Sequence, residues 1–277
     1  MRGRVHPFVR GNGRPMRPKK KYGQHFLEAA WADKLVAAID PQPDDRFVEI
    51  GSGPGALTLR LAPRVARLTA VELDADMVAA LQPRVPPNVT VVHGDFLEFD
   101  LSALAIERPF RVAGNLPYNV SSPILFALID AHRTMGGIVD ATLMVQREVA
   151  DRMVASPGTG DYGVLSIFMQ LHADVRRILA LPPGAFRPVP KVRSAVINLR
   201  FRPPAVVLAD ESSFESMVRT MFMQRRKTLL NGLGPYATSK QRDAGAALDA
   251  AGIDRQRRPQ TLQLTELARL ADYFASV

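Results

Sequence analysis

From Arg46 onward the chain alternates short apolar runs with stretches of helical spacing, and this alternation restricts the fold more than any other feature. Arg46–Ile50, Leu68–Glu72, Val89–His93, Phe110–Ala113 and Ala141–Val145 read as strands. Between and after them, Ala56–Val65, Ala75–Leu81, Pro123–Ile129 and Glu148–Val154 carry helix-like periodicity. Strands separated by helices cannot pair as hairpins; each connection must cross over, which gives a mostly parallel sheet with helices on both faces. Two later runs, Leu165–His172 and Ser194–Phe201, are strand-like and could add an antiparallel edge. The pattern changes after Pro203-Pro204. Phe214–Leu230, Lys240–Ala251 and Thr265–Ala275 all read as helices, with no strand signal among them. The 277 residues therefore divide into an arm over 1–18, an α/β domain over 19–204 and a small all-α domain over 205–277.

Charge follows the same divisions. Residues 1–21 hold eight basic and no acidic residues, residues 22–151 carry a net −7, and residues 152–277 a net +8. A basic–acidic–basic layout suits a polyanion held by the flanks while the middle does different work. No apolar run is long enough to span a membrane, and the first residues lack the apolar core of a secretory signal. The absence of Cys excludes disulfides, zinc–thiolate sites and a Cys nucleophile. The five His residues show no metal-ligand spacing, so no metal is expected, and a cytoplasmic location is.

Three motifs sit where the strands end. Glu49-Ile-Gly-Ser-Gly-Pro-Gly55 follows a strand and opens a helix; Gly51 and Gly53 let backbone approach a ligand closely at a helix N-terminus. Glu72 ends the next strand, 21 residues after Gly51, where a carboxylate can accept both hydroxyls of a ribose. The turn is not a Walker loop, but Gly51-x-Gly53-x-x-Ala56 leaves a nicotinamide dinucleotide open on this motif alone. Gly94-Asp95 follows the third strand on the same carboxyl-end rim, where open α/β sheets bind ligands.

The third motif is Gly114-Asn-Leu-Pro-Tyr-Asn119, after the fourth strand. It resembles the catalytic loop of methyltransferases that act on exocyclic or amide amines. Such an amine is a poor nucleophile because its lone pair is delocalised. The Asn115 side-chain oxygen and the Leu116 carbonyl can each accept an amine hydrogen, drawing the nitrogen towards tetrahedral geometry. Pro117 stiffens the loop, and Tyr118 offers a face on which a flipped base can stack.

With Lys21-Tyr-Gly-Gln-His-Phe-Leu27, Val71-Glu-Leu-Asp74, Gly94-Asp-Phe96, Gln146-Arg-Glu-Val-Ala150, Asp161–Ser166, Phe186–Ser194 and Gln224–Asn231, the chain resembles the KsgA-type ribosomal RNA adenine dimethyltransferases from about Lys20 onward. The resemblance implies a Rossmann-like class I methyltransferase with a mostly parallel seven-stranded sheet and a helical C-terminal domain. It implies S-adenosylmethionine as cofactor, held by His25, Leu27, Gly51, Gly53, Glu72, Asp95 and Asn115. Position 25 departs from the family's usual Asn. The resemblance further implies that a monomer dimethylates two adjacent adenines in a 3′-terminal hairpin of small-subunit (16S) ribosomal RNA within an immature subunit. Phe186 is the expected second aromatic around the target base. Lys191, Arg193, Arg225, Arg226 and Lys227 are candidate phosphate contacts, the last three on a predicted helix. A large-subunit enzyme of the macrolide-resistance type and a mainly RNA-binding assembly factor are the alternatives.

Overall fold

The structure, a computed structural model, describes residues 24–104 and 109–275; the basic arm over 1–18 lies outside the described residues. These residues group into two compact units. One is the chain up to Ala150 together with Arg176–Phe201; the other is Asp151–Val175 together with the chain from Arg202 onward.

The first unit is the α/β layer structure. Its elements begin with β1 (Phe26–Leu27), α1 (Ala29–Ile39), β2 (Arg46–Ile50), α2 (Thr58–Leu61), β3 (Arg67–Glu72), α3 (Ala75–Leu81) and β4 (Val89–His93). They continue with β5 (Phe110–Asn115), α4 (Ser121–Met135), β6 (Ile138–Gln146) and α5 (Arg147–Met153). After α6 (Val164–His172), which belongs to the second unit, come β7 (Ala173–Leu181), β8 (Phe186–Arg187) and β9 (Ser194–Phe201). Seven strands form one sheet in the order β4-β3-β2-β5-β6-β9-β7, and β1 pairs with β8 separately. The pairs β2–β3, β2–β5, β3–β4 and β5–β6 are parallel, and β6–β9 is antiparallel.

α1 forms because Ala32, Leu35, Val36 and Ile39 recur on one face, and that stripe is buried. The helix ends at Asp40, which takes a left-handed conformation with its N–H on Val36 O. α3 starts at Asp74, whose side chain accepts the Asp76 N–H. The core between α1, α2 and the sheet includes Leu35, Phe47, Leu61, Leu68 and Val196.

One close approach in this sheet sets how near the ends of β2 and β5 come to each other. Gly114 on β5 lies beside Ile50 on β2, and a Cβ there would come within 2.5 Å of the Ile50 carbonyl oxygen. We expect Gly114→Ala to force these strands apart at a cost of about 2 kcal/mol or more, read as a lower urea midpoint. A variant with wild-type stability would contradict this packing.

The second unit is helical: α6, α7 (Glu211–Met223), α8 (Leu229–Ser239), α9 (Ala244–Ala250) and α10 (Leu264–Ala275). Four expectations differ from the structure. Leu165–His172 is helix, not strand. Its apolar run is continuous, so periodicity could not separate the two, and it is buried on most sides, with Phe168 edge-on to Phe214 of α7. The strand of that region comes next, as β7, where Asp174, Arg176 and Arg177 on a sheet-edge position conceal the pattern. Residues 151–175 consequently belong to the helical unit rather than to a continuous α/β domain over 19–204.

Phe214–Leu230 is also not one helix. α7 ends at Met223, and Arg225, Arg226 and Lys227 lie in a turn closed by Lys227 N–H to Gln224 O. Phe222, Leu229 and Leu233 keep helical intervals across this break, which hid it. In place of Lys240–Ala251 the helix is the shorter α9, started by the Asp243 side chain on Ala246 N–H. No helix among the described residues is long and apolar enough to cross a membrane.

Candidate active site

The carboxyl ends of β2, β3, β4 and β5 border one cleft in the first unit. Its wall includes Gly51 and Gly53 of the glycine-rich turn, Glu72, Asp95 and the Asn115–Tyr118 loop, as the sequence leads one to expect, with His25 from the segment before β1. Gly51 and Gly53 both have positive φ, of 72° and 52°, conformations open to Gly at little cost. A Cβ on Gly51 would lie 3.5 Å from Asn115 O, an ordinary contact, so it is the positive φ rather than crowding that calls for Gly there.

Glu72 is buried and ties the turn to the next strand end. Its Oε2 accepts the Gly53 N–H at 2.7 Å and its Oε1 accepts the Asp74 N–H at 2.8 Å. Burial raises its pKa, and the two backbone N–H groups act against that. Asp95 accepts the Leu97 N–H at 3.0 Å, which fixes the start of the turn behind it.

The Asn115 loop is held from three sides. The Leu116 N–H donates to Met144 O at 3.0 Å, and the Val120 N–H closes the turn on Pro117 O. Asn115 Nδ2 donates to the backbone carbonyl of His25 at 3.0 Å. A carbonyl can only accept, so this bond fixes the amide and leaves Asn115 Oδ1 as the acceptor on its other side. The Tyr118 hydroxyl bonds the buried Ser194 Oγ at 2.9 Å, and burial raises the phenol pKa against that hydrogen bond.

His25 is a hub of this arrangement. Its Nδ1 donates to Pro188 O at 2.8 Å, its carbonyl holds Asn115, and its ring stacks on Tyr118 with centroids 5.5 Å apart and planes inclined by 24°. The aromatic partner of Tyr118 is thus His25, not Phe186. Phe186 is 0% exposed and sits in the core with Leu27, its partner across the β1–β8 pair, so neither side chain borders the cleft. A Phe next to a proline-rich bend satisfies its apolar surface best in that core, and here burial prevails over display.

Gln24, Phe26, Phe96 and Ile124 also wall the cleft, and Gln24 Nε2 donates to Asp74 Oδ2 at 3.1 Å. Gln24, Phe26 and Phe96 lie inside motifs legible in the sequence; Ile124 is a core position of α4 and carries no signal of its own. Lys191 and Arg193 are exposed between β8 and β9, and Arg225, Arg226 and Lys227 are exposed in the second unit, where Arg225 donates to Gly160 O at 2.7 Å. Among the described residues no three His, Cys, Asp or Glu side chains cluster as metal ligands would.

A sheet of this order, with a glycine turn, an acidic residue ending the next strand and an Asn-Leu-Pro-Tyr loop on one rim, makes the chain a class I methyltransferase. The pattern of the Ribosomal RNA adenine dimethylase family matches residues 16–276, and the chain belongs to that family. It is 45% identical over 257 residues, 92% of this chain and 96% of the other, to the Ribosomal RNA small subunit methyltransferase A of Syntrophotalea carbinolica. It is 46% identical over 273 residues, 95% of this chain and 97% of the other, to the protein of that name from Geobacter metallireducens. Among solved structures, a dimethyladenosine transferase from Plasmodium falciparum superposes with a TM-score of 0.71 at 24% identity, covering 89% of this chain and 96% of that one, a likeness of fold. The 23S rRNA methyltransferase ErmE does so with a TM-score of 0.65 at 28% identity, covering 89% and 98%.

Proposed function

We propose that this protein uses S-adenosylmethionine to dimethylate the exocyclic amines of two adjacent adenines in a 3′-terminal hairpin of small-subunit ribosomal RNA, as a monomer acting on an immature subunit in the cytoplasm. The observation that carries this reading is the fixed Asn115 amide, with an acceptor oxygen beside a cleft that also presents Glu72 and Asp95.

The cleft suits such a cofactor. Glu72 would hold a ribose diol, Val71, Phe96 and Ile124 would flank a flat base, and the glycine turn leaves space against the backbone. When bound, the cofactor supplies an electrophilic methyl on a sulfonium. This chain's residues do the rest. Asn115 Oδ1 and the Leu116 carbonyl would accept hydrogen bonds from the amine hydrogens, two before the first transfer and one before the second, turning the nitrogen lone pair towards the donor; transfer then depends on in-line placement, and the methylated nitrogen sheds its surplus proton to water. Tyr118, held by Ser194, would stack on the target base, an interaction worth about 1–3 kcal/mol.

The small-subunit substrate is favoured over the large-subunit one by the 45–46% identical relatives, which exceed the 28% identity to the 23S enzyme. Methylation of immature small subunits, and none of protein-free large-subunit RNA, is the expected result in vitro. Methylation of the large-subunit RNA alone would overturn the choice.

The exposed cations of the second unit serve phosphate binding. Replacing Arg225, Arg226 and Lys227 together by Ala should weaken RNA binding. It should also reduce the slope of log affinity against log salt by roughly 0.7–0.9 for each phosphate that is no longer neutralised. A slope equal to that of the wild type would assign these three residues to solvated surface.

A further inference from the structure

Glu49 plays no part in the site as described, and it does not border the cleft. It sits on β2 just below the glycine turn, 2% exposed, and its Oε2 has no hydrogen-bond partner. Its neighbours in register are Ala70 on β3 and Ala113 on β5. Side chains two residues apart share a sheet face, so Glu72 and Asn115 stand on the face of Glu49, one step nearer the cleft on either side. With strands about 4.8 Å apart and about 6.6 Å between alternate residues, each Cα lies roughly 8 Å from that of Glu49.

The surrounding charges do not neutralise it. Arg60 of α2 is held by Asp33 of α1 and by Ala56 O, and Lys34 of α1 lies over the Trp31 ring. Arg111, two residues before Ala113 on the same face of β5, is committed to Asp45 and Asp140. Arg187 pairs with Glu28, and Asp74 at the start of α3 is engaged by Gln24. Burial, opposed by Thr58 and reinforced by the charge of Glu72, pushes the Glu49 carboxyl up to about 7.

We propose that Glu49 is a specificity residue for cofactor charge: its ionised carboxylate, standing behind the cleft wall between Glu72 and Asn115, favours a sulfonium donor over the neutral thioether left after transfer. The inference rests on the proposed function. A buried negative charge stabilises a cation nearby and leaves an uncharged ligand of the same shape unaffected to first order. Ionisation of Glu49 would then tighten donor binding and leave product binding unchanged, so the preference for the donor would be smaller when Glu49 is protonated.

Calorimetry on the full chain tests this with S-adenosylmethionine and S-adenosylhomocysteine, at about pH 6 and about pH 8.5. The ratio of donor to product affinity should rise by roughly 4- to 30-fold between the two, the effect of one charge about 8–10 Å away at an effective dielectric of about 20–40. Glu49→Gln should hold the ratio at its low-pH value throughout, and Glu49→Asp should restore a rise with pH. Near pH 7, donor binding by the wild type should release a proton, read from the buffer dependence of the enthalpy, whereas product binding should not. A wild-type ratio that does not change with pH, or the same rise in Glu49→Gln, overturns the proposal. Failure of the wild type to bind either compound at any pH would overturn the proposed function instead.

Discussion

Asn115→Ala is expected to lower the single-turnover rate of methyl transfer by at least about 100-fold while RNA affinity stays within a few-fold of the wild type. The substitution removes Oδ1, the acceptor for one amine hydrogen, and the Nδ2 bond to the His25 carbonyl that fixes the amide. Removing one preorganised polar partner of a reacting group typically costs 10²–10³-fold, and misplacement of about 1 Å costs a similar factor. RNA affinity comes mainly from phosphate contacts, which Asn115 does not make. Asn115→Asp should not rescue the rate, because a carboxylate cannot donate to His25 O and would be repelled by it. An Asn115→Ala variant within tenfold of the wild-type rate would show that the amide does not activate the amine.

The largest loss of stability is expected at Arg111, at the opposite end of β5 from the cleft. Its guanidinium bonds Asp45 Oδ2 at 2.8 Å and Asp140 Oδ1 and Oδ2 at 2.9 Å, and donates to the carbonyls of Ile39 and Asp40, which close α1. The side chains of Arg111, Asp45 and Asp140 are 15%, 20% and 14% exposed, so water replaces little of what is removed. Arg111→Met keeps much of the apolar stem but removes the guanidinium, which also lies over the Phe47 ring, and leaves two carboxylates without their cation. Breaking a buried pair this way costs about 3–5 kcal/mol, and partial exposure reduces that to roughly 2–4 kcal/mol here. Urea unfolding should show a clearly lower midpoint with an unchanged slope. The triple change Arg111→Met, Asp45→Asn and Asp140→Asn should recover much of the stability. A single variant within about 0.5 kcal/mol of the wild type, the spread of surface substitutions, would reduce the network to surface decoration.

How far the sequence foretold all this depended on which forces wrote the signal. β2, β3, β5 and β6 are legible because parallel central strands are apolar runs that end in turns, β4 at the sheet edge keeps a short valine-rich run, and the glycine turn, Glu72, Asp95 and the Asn115 loop mark those ends. Local chemistry placed them on one rim without any knowledge of packing. The misreadings arose where two structures share one pattern. The run 165–172 is apolar throughout, so helix and buried strand look alike in it, whereas β7 carries the charges of an edge and does not look like a strand. The helical interval from Phe222 to Leu229 crosses the turn that displays Arg225–Lys227.

Phe186 and His25 show a different limit. Motif order places both near the site, but which aromatic faces Tyr118 is decided by the β1–β8 pairing, in which Leu27 and Phe186 turn into the core and the His25 ring is left over Tyr118. That pairing joins segments far apart in the chain and has no local signature. In the sequence Glu49 is only the first residue of the glycine motif. Its burial and its position between Glu72 and Asn115 follow from sheet register, which only the fold supplies.

The most direct test of the proposed function is mass spectrometry of small-subunit ribosomal RNA from cells lacking this protein. Two adjacent adenines of the 3′-terminal hairpin should carry no N6-methyl groups, and both should regain two when the wild-type chain, but not Asn115→Ala, is returned. Full dimethylation of that hairpin in the absence of the protein would contradict the account.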